Sequence, residues 1–205
     1  SAKKGDNIVL KSKKTPWYKG KTLFNFIENI RNKRVVRADK NMVFLVQDKY
    51  STQNIVVGRI ERGTIRAGQK ILILPEGEFN TIKKIRLGER SVKRCTQGET
   101  IGIIFKNIFL SGRNSVVCNP KSQLKAESKF MAALFWIKKP TKKILTCNCG
   151  NSISTVKKIS PNKGNENIYK ITLTKPIVVD RINNGILNKI IFKNDGEIIG
   201  LGRIL

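Results

Sequence analysis

From residue 34 onward the apolar residues come in short runs bounded by turn residues, roughly every 8–12 positions. That spacing predicts strands over Val43–Gln47, Ile55–Glu61, Lys70–Leu74, Asn80–Ile85, Thr100–Phe105 and Ser115–Cys118. Turn chemistry separates them at Gly63, Gly68, Gly77 and Gly98. A polar stretch, Asn119–Ser128, interrupts the series. A second set follows at Phe130–Ile137, Lys143–Cys149, Ser152–Ile159, Ile168–Leu173, Ile177–Val179, Lys189–Phe192 and Ile198–Ile204. Asn194-Asp195-Gly196 reads as a hairpin turn between the last two. Many short strands with no helices between them point to small closed barrels, which leave no sheet edge exposed. The N-terminal part differs. Leu23, Phe26, Ile27 and Ile30 stand at i, i+3, i+4 and i+7, and predict one short amphipathic helix over 22–30. The fold class read from this pattern is all-β: two tandem small barrels with one short N-terminal linker helix. The divisions are 1–33 for the linker, 34–120 for the first barrel and 124–205 for the second.

Charge changes the picture next. The chain has 205 residues and carries 41 Lys and Arg against 14 Asp and Glu, net +27, with no His. Clustered cations release counterions from phosphate backbones, so a polyanion partner is one reading. Lys outnumbers Arg 29 to 12, however, and is spread along the whole chain beside abundant Ile and Asn. A surface selected for phosphate favours the planar fork of Arg. The excess therefore reads first as compositional drift, with nucleic acid a possible partner that is not favoured. Hydrophobic residues make up 40%, enough for packed cores.

Catalytic chemistry is hard to find. Without His there is no imidazole for proton transfer or metal binding. No glycines stand at phosphate-loop spacing, and Asn32-Lys33 lacks the Asp that would read guanine. Asp180 and Glu197 are the carboxylates one would pair for acid–base work, but salt bridges are the simpler role. Cys147-Asn148-Cys149 is C-x-C, not the C-x-x-C of a zinc knuckle, and with Cys95 and Cys118 it reads as ordinary half-buried strand thiols. Trp17, Tyr18, Phe24 and Phe26 read as packing for the linker helix. Phe130, Phe135 and Trp136 read as barrel core or domain interface. No apolar run reaches the roughly 18–20 residues of a membrane span, and no signal-peptide pattern opens the chain, which reads as cytoplasmic.

Several stretches carry a resemblance. Ser1-Ala2-Lys3 followed by Gly5-Asp6-Asn7 resembles the fifth guanine-binding motif of elongation-factor GTPases and the turn after it. Residues 58–70, from Gly58-Arg59-Ile60 to Gly68-Gln69-Lys70, resemble the signature hairpin of their second domain. Leu74–Gly77 and Gln97–Ile103 match the same domain further on. Within that class, Thr15-Pro16-Trp17-Tyr18-Lys19-Gly20, Pro176–Arg181 and Gly200-Leu201-Gly202 look like the GTPase subunit of bacterial sulfate adenylyltransferase. Ser111-Gly112-Arg113-Asn114 departs from that family's Ser-Arg-Gly-Asp, and Ser152–Asn167 is shorter than its counterpart.

The resemblance implies elongation-factor domain 2-like and domain 3-like barrels that follow a GTPase domain. It implies no catalytic residue and no metal site in this part. Ser1, Ala2 and Lys3 would contact guanine, and GTP with Mg would sit in the GTPase domain. The implied function couples GTP hydrolysis to adenylyl sulfate formation from ATP and sulfate. The small catalytic subunit and the chain's own GTPase domain would be partners. The alternative is the tRNA-binding barrels of a translation elongation or release-type GTPase, which the +27 charge favours and the Asp180-Arg181 pair disfavours.

Overall fold

The structure is a computed structural model that describes residues 1–30, 41–140, 144–162, 164–183 and 185–205. Asn32, Lys33, the boundary near 33–34 and the Lys143 start of one predicted strand lie outside the described residues. Two compact units result, 1–35 and 36–205.

The first unit is a series of turns pinned by short polar side chains. Asn7 takes a left-handed φ of 58°. Its side chain donates to Thr15 Oγ1 (2.7 Å) and accepts from the Ser12 amide (2.8 Å). The helix α1 spans Leu23–Glu28, with Thr22 at its N-cap accepting from the Asn25 amide. It is shorter than the apolar spacing predicts because Asn29 caps its C-terminal end. None of its residues is buried. The expected packing of Trp17, Tyr18, Phe24 and Phe26 is also corrected: all four are exposed, Trp17 by 76%. A helix of a turn and a half offers too little surface to cover them.

The second unit holds both barrels. The first is built from β1 (Val43–Tyr50), β2 (Ile55–Arg62), β3 (Thr64–Arg66), β4 (Lys70–Leu74), β5 (Glu78–Leu87), β6 (Arg90–Val92), β7 (Arg94–Thr96), β8 (Thr100–Phe105) and β9 (Val116–Cys118). The order β4-β9-β1-β2-β8-β5 closes through β4–β5, β6 extends β5 as a hairpin, and β3 pairs with β7. The strands β3, β6 and β7 have three mostly polar residues each, which leave no apolar run to read. Inward residues such as Phe44, Val56, Ile60, Ile82, Ile103 and Phe105 form the core.

Residues 119–124 connect to the second barrel: β10 (Lys125–Trp136), β11 (Leu145–Cys149), β12 (Ser152–Asn162), β13 (Asn165–Val179), β14 (Lys189–Asn194) and β15 (Glu197–Ile204). They close in the order β10-β13-β12-β11-β14-β15. Two predicted strands, Ile168–Leu173 and Ile177–Val179, are one strand, β13. A register shift opposite Glu127–Lys129 absorbs Pro176, which has no N–H to give the ladder. Asp195 and Gly196, at φ 49° and 83°, make the tight turn between β14 and β15. Phe130 is core and Trp136 packs on Phe192, but Phe135 is 69% exposed. It points outward because strand alternation turns it away from Leu134, and it pairs across the sheet with Leu201.

A third apolar cluster joins the barrels. Val43, Leu45, Leu74, Val116 and Cys118 of the first meet Leu124, Val178 and Leu187. Polar ties frame this seam. Asn151 Nδ2 donates to the carbonyls of Val46, Arg113 and Ser115 at 2.9–3.0 Å. Ser152 Oγ donates to the Asn114 carbonyl. Arg62 reaches Asp180 Oδ2 at 2.9 Å.

A candidate nucleic-acid interface on the first barrel

The outer face of β2, β8 and β5 carries a cleft of about 470 Å³. In register across these strands stand Val57, Gly102 and Arg86. Gly102 forms the floor. A Cβ there would lie 3.1 Å from Ile55 Cγ2 and 3.6 Å from Arg86 Cβ, so any side chain would fill the space. Tyr50 and Thr52 wall one side, from the turn between β1 and β2. Arg86 and Gly88 wall the other, from the β5–β6 hairpin. Thr100 stands at the end. Tyr50 is 55% exposed.

The electrostatics favour an anion. Arg86 Nε is buried and has no hydrogen-bond partner, and an unpaired buried N–H costs about 1–3 kcal/mol. Arg59, Lys84 and Arg90, on the neighbouring stretches of β2, β5 and β6, are exposed. Among the described residues the ion pairs are Arg62–Asp180, Arg113–Asp48, Lys138–Glu197 and Arg181–Glu127, and none uses these four cations. A cleft lined by an aromatic ring and a guanidinium has the chemistry to hold a nucleotide base and its phosphate.

Catalytic groups are not assembled here. Asp180 and Glu197 lie in separate salt bridges, to Arg62 and Lys138. The four thiols are fully buried rather than half-buried. Burial pushes Cys147 and Cys149 up to about 12, helped at Cys147 by its neighbour, and Cys95 and Cys118 up to about 11. No group of three or more potential metal ligands occurs among the described residues. None of the described helices is long and apolar enough to cross a membrane. Ser1, Ala2 and Lys3 are exposed in a turn where the Lys4 amide donates to the Ser1 carbonyl (3.2 Å) and the Ser1 ammonium donates to the Asp6 carbonyl (2.9 Å).

Sequence reasoning missed Tyr50, Arg86 and Gly102 as a set. They sit on three different strands or turns, and only the register brings them together. The alternation of β5 around buried Ile85 was the one signal that placed Arg86 on the outer face.

No protein-family model matches the chain. Elongation factor 1-alpha of Archaeoglobus fulgidus is 27% identical over 237 residues, covering all of this chain and 55% of that protein. Its counterpart in Cenarchaeum symbiosum is 32% identical over 143 residues, covering 67% of this chain and 33% of that protein. The two barrels are elongation-factor-like. The fold agrees: crystal structures of Sup35 complexed with GMPPNP and with GDP superpose with TM-scores of 0.69 and 0.67 at 16% identity, over the whole chain and 57% of theirs. The chain thus spans about half the length of the relatives it matches. The relatives are elongation factors 1-alpha, and this overturns the sulfate adenylyltransferase expectation, and with it sulfate assimilation and the small catalytic subunit as partner. The motif that suggested it has a structural role, since Asp180 is spent on the joint between the barrels.

Proposed function

We propose that the chain is the RNA-binding barrel half of a translation elongation-factor-like GTPase, with tRNA as its ligand. The match to elongation factor 1-alpha along the whole chain carries this reading. The cleft lined by Arg86 and Tyr50 gives it a chemical basis, and the +27 charge supplies non-specific attraction. Residues 1–33 would close a GTPase domain, with 34–120 and 124–205 as the two barrel domains. Ser1, Ala2 and Lys3 would then lie against the guanine of bound GTP, whose state would set how that domain meets the barrels.

Filter binding of tRNA across a salt series tests the proposal. Affinity should fall steeply with salt and still exceed that for polyphosphate at matched charge. Equal affinity for the two polyanions would reduce the charge to composition and end the tRNA reading.

A further inference from the structure

Between β8 and β9 the chain carries three consecutive apolar residues, Ile108-Phe109-Leu110, with opposite fates. Phe109 is fully buried and stacks on Phe105, ring centroids 5.3 Å apart. Its neighbours Ile108 and Leu110 stand in solvent, 71% and 75% exposed. The tip is pinned on both sides. Asn80 Nδ2 donates to the Asn107 carbonyl and its Oδ1 accepts from the Asn107 amide, each at 3.2 Å. Beyond the buried Ser111, Arg113 grips Asp48 with two bonds, and the Asn114 carbonyl accepts from Ser152. Two large aliphatic side chains are thus held in place outside the core, which they do nothing to stabilise.

We propose that this tip is a reversible anchor on an anionic lipid bilayer, with Ile108 and Leu110 entering the acyl boundary and the surrounding cations meeting the headgroups. Area and charge select this occupant. Two side chains cover far less than the roughly 800 Å² per partner of a stable protein interface. A second copy bearing the same +27 would be repelled. RNA offers phosphates to the lysines but no apolar medium to the aliphatic pair. Lys106 is exposed on the loop itself, and Lys49 Nζ lies 5.9 Å from the centre of the Phe109 ring. Of the carboxylates bonded to this region, Asp48 is matched by Arg113, and Glu76 accepts from Ser115 Oγ at the far end of the loop. Reversible membrane binding takes two modest signals, a short apolar insertion and basic charge, and the chain supplies both. This inference stands apart from the tRNA reading.

The test is co-sedimentation of the whole chain with phosphatidylcholine vesicles, with and without phosphatidylserine, across a salt series. The chain should pellet with the anionic vesicles, and much less with the neutral ones. The double variant Ile108→Ser, Leu110→Ser should bind them at least about tenfold more weakly at unchanged net charge. Its urea midpoint should match wild type, because neither side chain is buried, so a loss of binding is not a loss of fold. Lys106→Gln should weaken binding more than Lys189→Gln, which removes the same charge from the second barrel. Equal vesicle binding by wild type and the double variant overturns the proposal, since net charge alone would then explain the adhesion. So does equal binding to neutral and anionic vesicles, or binding to neither. Filter binding of tRNA to the same variants covers the remaining outcome. A double variant that loses tRNA affinity with vesicle binding intact would assign the tip to an RNA surface and overturn the lipid anchor.

Discussion

At the scale of single residues, Asp180 shows how a buried charge is made tolerable. Burial raises its pKa. The amide of Asn183, the Arg62 guanidinium and the Asn183 side chain outweigh that and hold it below the usual carboxylate range. Its folded value lies below its unfolded one, near 3.9. The stability it contributes is therefore complete above that pH and is lost as pH falls through the folded value. Urea midpoints for Asp180→Asn should lie below wild type at pH 6, by a gap that narrows as pH falls below the usual carboxylate range. A gap that stays constant through the whole acid range would show that the carboxylate charge is irrelevant. Arg62→Ala should cost about 2 kcal/mol at neutral pH, since Asn183 still satisfies part of the carboxylate. The thiols make a second residue-scale case. With values near 11 or 12 and no solvent access, all four should resist a thiol reagent in the native protein and react in guanidinium. Fast native labelling at any of them would contradict the buried placement.

At the scale of elements, legibility followed length and alternation. Strands such as β4 and β8 were read with their bounds intact, because apolar residues and flanking glycines agree there. Strands β3, β6 and β7, three residues each with one apolar residue apiece, were invisible, whereas the equally short but wholly apolar β9 was read. β13 was broken in two because Pro176 looks like a stop when the bulge is not known. Phe135 was misplaced because a large aromatic is usually core, and only the register with Leu201 shows it facing out. The cleft was illegible for the same reason. Tyr50, Arg86 and Gly102 are separated in sequence and joined by β-register. The sulfate adenylyltransferase expectation leaned most on the Asp180-Arg181 segment, and there Asp180 serves a joint between the barrels.

At the scale of the molecule, the seam decides how the barrels behave. An apolar cluster that takes members from both makes them one cooperative unit. Leu187→Ala should cost about 2–3 kcal/mol. Its effect on hydrogen exchange should appear equally in β1 and β13. Loss of protection confined to one barrel would show that they open independently. Asn151 works at the same seam, and what it grips is the backbone: three carbonyls, from Val46, Arg113 and Ser115. Ser152 does likewise at Asn114. A joint built on main-chain oxygens is indifferent to the letters written on the loop that supplies them. Ser111–Asn114 can change in sequence and still be held. Mutational drift should therefore accumulate on the loop, while Asn151 itself tolerates almost no replacement.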